Sequence, residues 1–211
     1  MAVIGISYPF AAKYNISDGS VSYTEGKTLG HLTDYNLDEE QQEPVAFWSD
    51  GMIMDYDHGC FQQGTLTLNL TDMTAAITGW LFGLPTNTFT VSAGNTVTEY
   101  LWNDEAIPLR IGIGIIETHM INGSLQYKAI ILSKCKPHIP TSQAETKTDQ
   151  IDWQTKELEM WVGRSDATNR CWKREAWFDS KDAAQFYLEQ QLGFEGSDLV
   201  GYGRVGYMKV H

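Results

Sequence analysis

The feature that most constrains the fold is a pair of long apolar arms joined by the dipeptide Asn122-Gly123. Asn-Gly is the strongest two-residue signal for a β-hairpin, because both turn positions must accept a positive φ. One arm spans about 107–120 and the other about 125–136, and both alternate with the period of two that is typical of strands. The arms exceed the roughly 5–6 residues of an average strand, so the sequence predicts one extended β-hairpin.

Strands of this length extend past a small sheet and leave unpaired backbone groups along their edges. Exposed strand edges must be covered or paired, and a neighbouring subunit can do this. We therefore predict that the hairpin takes part in contacts between subunits. The candidate residues are Ile111, Ile113, Ile115, Asn122, Gly123, Tyr127 and Ile131.

Strand patterns also dominate the rest of the chain. Residues 64–70 alternate cleanly, with Leu66, Leu68 and Leu70 on one side and polar residues on the other, which is typical of a half-buried strand. Further strands are predicted at about 11–24, 29–38, 149–163 and 170–178. Within the first of these, Asp18-Gly19 predicts a tight hairpin turn.

Two short segments change to a helical period. Apolar residues recur three and four apart after Thr71-Asp72, which we interpret as the N-cap, and Gly83 ends that segment. The same spacing follows Asp179-Ser180 and ends at Gly193. The predicted fold class is therefore mainly β: an antiparallel β-sandwich or barrel with one or two short flanking helices.

One domain, residues 1–193, accommodates these elements, and 194–211 is predicted to be a C-terminal extension or arm. The start of the chain lacks the basic region and apolar run of a signal peptide. No apolar stretch reaches the roughly 18 residues of a membrane span, so we expect no membrane association. The odd number and wide spacing of Cys60, Cys135 and Cys171 favour free thiols in a reducing compartment.

The net negative charge of the chain arises in one stretch. The formal net charge is −12, and no lysine or arginine occurs between Lys27 and Arg110. Of the 27 acidic side chains, 12 lie within 28–109, which leaves 15 to balance all 15 basic side chains outside it. Phosphate binding needs clustered Lys and Arg, so the usual kinds of nucleic-acid binder are excluded. An acidic surface that only aids solubility is an open alternative.

The sequence carries no motif that points to catalysis. The phosphate loop, the His-Glu-x-x-His zinc motif and the Gly-x-Ser-x-Gly elbow are all absent. Gly112-Ile113-Gly114 begins a dinucleotide-like pattern, but it lies in a strand, where small residues let a large side chain or another backbone approach. Asp55 and Asp57 would point away from His58 and Cys60 on a strand. We expect no enzyme, no metal and no cofactor.

Five stretches of the chain, taken in order, carry a family resemblance. They are 4–30; Asp50-Gly51-Met52 with 64–83; the hairpin 108–134; 139–155; and 172–179 with the helix that follows. In this order they resemble the major tail protein family, the tail tube proteins of long-tailed bacteriophages. The resemblance covers roughly 4–192, and 194–211 has no counterpart in it.

The resemblance implies a structural virion protein with a tail-tube-like fold. Members form hexameric rings in which strands of all subunits make one β-barrel around a channel, and the rings stack into the tube through which the genome leaves. It also implies three partners: further copies of the chain, a tape measure protein and a tail terminator. DNA would pass through the channel without specific binding. The expected location is the phage tail, assembled in the host cytoplasm.

The acidic stretch then gains a physical interpretation. DNA carries one charge per about 1.7 Å of axis, so an acidic wall repels it and lets it slide. The candidates for a channel lining, or for a loop that contacts the next ring, are Asp38, Glu39, Glu40, Glu43, Asp50, Asp55 and Asp57. Two other hypotheses stay open. One is another tube-fold protein, such as a tail terminator or the inner tube of a contractile system. The other is a virion β-sandwich that binds carbohydrate or host through exposed Trp.

Overall fold

The computed structural model describes residues 2–57, 59–91, 94–140 and 155–194. Their elements, in chain order, are β1 (Ala2–Ser17), β2 (Ser20–Thr28), β3 (Leu32–Gln41), β4 (Val45–Ser49), β5 (Met52–Asp57), β6 (Phe61–Leu70), α1 (Ala75–Phe82), β7 (Thr86–Thr90), β8 (Thr96–Tyr100), β9 (Ile111–Ile121), β10 (Ser124–Pro137), β11 (Lys156–Gly163), β12 (Lys173–Phe178) and α2 (Lys181–Gln191). Every strand pair among them is antiparallel.

Hairpin β9–β10 lies at the centre of an eight-stranded sheet. The strand order is β2-β1-β9-β10-β11-β6-β3, with β12 also paired to β10. The edge of β10 that faces away from β9 pairs with two strands. Residues 127–132 pair with β12, and 134–137 pair with β11. The β11-β6-β3 part of the sheet packs over β9 and β10 around a shared core. This is the mainly β, sandwich-like fold with short flanking helices that the sequence predicts.

The main core fills the space between these two layers. Leu66, Leu68 and Leu70 of β6 are fully buried, as their alternation predicts, and they belong to one cluster with Ile113 and Leu132 of the central hairpin. Residues that alternate with the leucines remain partly exposed because they lie on the outer face of the layer. The apolar period of two therefore decides which side of β6 faces inward.

Helix α2 covers the opposite face of the central hairpin. Ala184, Leu188 and Leu192 pack there against Phe10 and Ile131 in a second apolar cluster. Strand β9 offers a shallow surface at this point because it has glycine at position 114. A Cβ atom at that position would lie only 2.8 Å from a methyl carbon of Leu192. The prediction that the small residues of β9 admit a large side chain is confirmed.

The ends of the helices agree with the sequence patterns except at one point. Helix α1 begins after Thr74, whose hydroxyl accepts the backbone N–H of Ile77, so the predicted N-cap at Thr71-Asp72 is wrong. The Asp72 carboxylate accepts the backbone N–H of His31 instead. Helix α1 ends at Gly83 with a left-handed φ of 60°, as predicted.

The boundaries of the other predicted strands shift by a few residues, except that β1 begins at Ala2 and not near residue 11. The predicted strand 149–163 corresponds to β11, and 149–154 lie outside the described residues. Helix α2 is capped by Ser180 and followed by Gly193, as predicted. Phe194, the first residue of the predicted arm, packs edge-on against Phe10 with ring centroids 5.3 Å apart. It therefore belongs to the folded domain, while 195–211 lie outside the described part of the chain.

Candidate assembly surface

Strands β4 and β5 form a hairpin that is separate from the main sheet. They pair only with each other, and the turn between them is Asp50-Gly51, with φ angles of 50° and 76°. The chain enters this hairpin from β3 and leaves it into β6. Within the described ranges neither strand has a second pairing partner, so both outer edges can accept another strand.

This hairpin presents an apolar surface to solvent. Phe47 and Met52 are each 64% exposed, and Trp48 is 60% exposed. Its exposed large apolar side chains are Val45, Phe47, Trp48, Met52, Ile53, Met54 and Tyr56. Single exposed apolar side chains are normal, but a contiguous set is typical of an interaction site. Residues 45–57 are called the assembly hairpin from here on.

The acidic residues predicted to line a channel or to contact the next ring lie on or beside this hairpin. Asp38, Glu39 and Glu40 are in β3, Glu43 precedes β4, Asp50 is in the turn, and Asp55 and Asp57 are in β5. Three of them have partners: Glu39 lies 2.7 Å from the Lys173 ammonium, Glu40 accepts a 2.6 Å hydrogen bond from Gln63, and Asp55 accepts the backbone N–H of Tyr56 at 2.8 Å. The channel lining and the ring contact both stay predictions.

Strands β7 and β8 form a second exposed hairpin. Phe89 pairs directly with Val97 on one of its faces, and Thr88 pairs with Thr98 on the other. Phe89 and Val97 are 47% and 40% exposed. This hairpin is less apolar than the assembly hairpin because one face consists of five threonines and Tyr100.

Most of the residues in β9 and β10 that were predicted for a contact between subunits are buried within the chain. Ile111, Ile113, Ile115 and Ile131 are at most 1% exposed, and Tyr127 packs at the edge of the α2 cluster. Only the turn residues Asn122 and Gly123 are exposed. β6 and α2 of the same chain cover these isoleucines, so they form no exposed surface, and the contact between subunits through this hairpin stays a prediction.

Beyond the apolar core, the inner face of β9 carries polar side chains that form a hydrogen-bonded network. The Glu117 carboxylate lies 2.7 Å from the Lys128 ammonium and 2.8 Å from Nε2 of His119, and it accepts a hydrogen bond from the Tyr35 hydroxyl. Glu117 and His119 are both buried. Tyr35 is in β3, so the network joins the two layers across an open groove of about 600 Å³.

Burial and hydrogen bonding have opposite effects on Glu117. Burial by itself raises the pKa of this carboxyl group, but its hydrogen bonds with Lys128, Tyr35 and His119 outweigh burial and hold the pKa below its ordinary value. Burial, and then the neighbouring Glu117, raise the pKa of the Tyr35 phenol. The carboxylate is therefore charged at neutral pH and acts as an acceptor between the layers.

The described residues form neither a metal site nor a helix that could span a membrane. In the described ranges no group of three His, Cys, Asp or Glu side chains is arranged to hold a metal ion. Cys60, Cys135 and Cys171 are free thiols, and burial raises the pKa of Cys135. Neither α1 nor α2 approaches the length and apolar character that crossing a membrane requires.

No protein-family model matches the chain, and no curated protein matches it. The strands predicted from the sequence did not include the assembly hairpin. A usable signal was present, because Asp50-Gly51 is a hairpin dipeptide with apolar runs on both sides.

Proposed function

We propose that this protein is a structural subunit of a virus particle, the major tail protein that forms the tail tube of a long-tailed bacteriophage. Copies of the chain assemble into hexameric rings, and the rings stack around a channel for DNA. The sequence resemblance over residues 4–192 is one support for this proposal. The observation that carries it is the assembly hairpin, whose seven large apolar side chains are left uncovered by the described chain.

Self-assembly would remove this apolar surface from water. Burying a side chain the size of Phe or Trp contributes about 1.5–3 kcal/mol, so covering several of them in every subunit is a sizeable driving force. The free edges of β4 and β5 would gain strand partners in the same step. A repeated contact between unlike surfaces closes into a ring when the rotation per subunit closes, which is how a tube begins.

The acidic stretch suits a channel for DNA. Positive charge on the wall would hold phosphates, whereas an acidic or neutral wall lets the duplex pass. The region around the assembly hairpin has exposed carboxylates at Asp38, Glu43, Asp50 and Asp55. The described residues provide no ion-pair partner within 4 Å for any of these four.

Electron microscopy of the purified chain over a range of concentrations tests the proposal directly. We expect rings or hollow rods that become more abundant as the concentration rises. Rings that never stack would favour a tail terminator. A particle that stays monomeric when concentrated would overturn self-assembly. Retention on a glycan column would favour the carbohydrate-binding alternative.

A matched pair of variants tests the hairpin itself. The double variant Phe47→Ser/Trp48→Ser should abolish assembly while leaving the thermal midpoint of the monomer unchanged, because both side chains are exposed. The control is Phe186→Ser on α2, which removes a phenyl group that is 63% exposed outside the hairpin. Equal assembly by the double variant and the wild type would contradict this use of the hairpin.

A charge reversal separates the two roles proposed for the acidic residues. Phage carrying Glu40→Lys/Glu43→Lys should assemble tails but eject DNA slowly if these residues line the channel. If the tails fail to form, the residues belong to the contact between rings instead. Glu39 is left unchanged because its ion pair with Lys173 has a structural effect of its own.

A further inference from the structure

Four side chains are in contact at the base of the assembly hairpin. The Phe61 ring lies parallel to the Trp172 indole, with centroids 4.0 Å apart and an interplanar angle of 4°. The Lys173 ammonium sits 4.8 Å from the centroid of the Trp172 ring. The same ammonium lies 2.7 Å from the Glu39 carboxylate. These four residues, Glu39, Phe61, Trp172 and Lys173, are called the clamp.

The clamp joins the chain on both sides of the assembly hairpin. Glu39 is near the end of β3, which leads into the hairpin, and Phe61 begins β6, which follows it. Trp172 and Lys173 come from the distant start of β12. Around the clamp, the Arg164 guanidinium donates a hydrogen bond to the Phe61 carbonyl oxygen, and the backbone N–H of Gln42 donates to the carbonyl of Cys60 at 3.0 Å.

A hairpin of this kind needs such a support. An isolated pair of strands is marginally stable in water, and in the described part of the chain the assembly hairpin has only its own two strands for pairing. A mobile hairpin would lose conformational freedom whenever it met a partner, and that loss weakens binding. Fixing its base in advance lowers the entropy lost on assembly.

We propose that Trp172 and Lys173 are positioning residues that set the direction of the assembly hairpin and so control the assembly of the protein. This inference rests on the proposed function, because it takes the hairpin as the surface of contact between copies. Neither residue has to touch the neighbouring copy. Both act from the body of the subunit through Phe61 and Glu39.

The ion pair of the clamp is partly exposed, so its effect on the hairpin can be distinguished from an effect on global stability. The side chains of Lys173 and Glu39 are 25% and 32% exposed. Ion pairs near the surface contribute little to the free energy of unfolding. Breaking this pair should therefore free the hairpin without unfolding the domain, and the two effects can be measured separately.

The experiment compares Lys173→Glu with the charge swap Glu39→Lys/Lys173→Glu and with the control Lys136→Glu, which changes an exposed lysine of β10. Cleavage by chymotrypsin at Phe47, Trp48 and Tyr56 is followed at a concentration where the chain is monomeric. Fast local opening makes the cleavage rate a measure of the open population. We expect Lys173→Glu to be cut about three- to tenfold faster than the wild type.

The thermal midpoint should stay unchanged in all three variants. The swap should bring the cleavage rate back to that of the wild type, and the control should not alter it. Assembly, measured by sedimentation, should follow the same order, with a higher critical concentration for Lys173→Glu only.

Equal cleavage of Lys173→Glu and the wild type would overturn the clamp. The Glu175 carboxylate lies 3.6 Å from the Lys173 ammonium, so the swap is also made together with Glu175→Gln. Cleavage that stays fast in both swaps would overturn the clamp too, because it would show that pairing with Glu39 is not what holds the hairpin. If the wild type never assembles, the proposed function fails, yet the cleavage rates still decide whether the clamp holds the hairpin. If the wild type and Lys173→Glu assemble at the same concentration, the function stands and the inference fails.

Discussion

Two hairpins of this protein have the same kind of turn and opposite surroundings. Asp50-Gly51 has φ angles of 50° and 76°, and Asn122-Gly123 has φ angles of 50° and 81°. The strands beside the second turn form the centre of the main sheet and are covered on both faces, except at the end near the turn, where Met120 and Leu125 are exposed. The strands beside the first turn are exposed on both faces.

The difference shows that a turn and an apolar pattern do not fix burial. Strand β9 combines isoleucines with glycines, so one of its faces fills a core and the other admits a helix. The assembly hairpin has bulky Phe, Trp and Met side chains on both faces, and no described element packs over it. Apolar residues that the chain itself does not cover are the ones available to a partner.

The largest expected effect comes from truncating one apolar side chain in each hairpin and comparing the losses in the free energy of unfolding. Ile113→Ala should lower the free energy of unfolding by about 3 kcal/mol, because it leaves a cavity in the core. Met54→Ala in the assembly hairpin should change it by less than about 0.5 kcal/mol, because Met54 is already in water. Urea denaturation of both variants measures the difference. Similar losses would mean that the assembly hairpin is packed in the monomer.

An intermediate effect tests the charged end of the covered hairpin. Glu117→Gln should lower the free energy of unfolding by about 2 kcal/mol at neutral pH, because hydrogen bonds to a charged carboxylate are lost. The folded-state pKa of Glu117 is lowered, so its contribution is fully present above the ordinary carboxyl pKa and is lost as the pH falls through the folded value.

The gap between Glu117→Gln and the wild type should therefore narrow as the pH is lowered from neutral into the acid range below the ordinary carboxyl pKa. Urea denaturation at a series of pH values measures this gap. The control is Glu157→Gln, an exposed glutamate of β11, which should keep the pH profile of the wild type. A gap that stays constant at all pH values would show that the charge of Glu117 does not stabilise the fold.

The smallest expected effect comes from replacing the glycine of each turn by alanine and comparing the thermal midpoints. Gly123→Ala and Gly51→Ala each place a Cβ at a positive φ with nothing within 4 Å of it, so the local strain is equal, about 1 kcal/mol. Only Gly123→Ala should lower the thermal midpoint, because its turn belongs to the cooperative sheet. Differential scanning calorimetry should show no shift for Gly51→Ala. Equal shifts would mean that the two hairpins unfold together.

Much of the fold could be predicted from local patterns. The Asn122-Gly123 turn, the alternating leucines of β6 and the glycine at the end of α1 each depend on short-range geometry, and all three are confirmed. The first half of β1 was missed. It pairs with β9 over a long stretch, and two irregularities in the register interrupt its pattern. Pairing between distant segments leaves little local trace.

The candidate site was predicted only in part. The acidic residues from Asp38 to Asp57 were identified from the charge distribution, and they do lie around the exposed hairpin. The isoleucines predicted for a contact in β9 and β10 are covered by the same chain, which the sequence could not show because apolar side chains look alike in sequence whether a core or a partner covers them. The clamp was missed because Trp172 and Phe61 are distant in sequence and meet only in the fold.

The sequence by itself determined the period of the predicted strands, the turns at Asp18-Gly19 and Asn122-Gly123 and the glycines that end both helices, because each depends on residues within a few positions of one another. It also determined that the net negative charge arises in one stretch. Only the tertiary structure decided which apolar hairpin is covered and which is left open, and which distant residues support the open one. Burial depends on what packs against a segment, and that is a property of the whole chain.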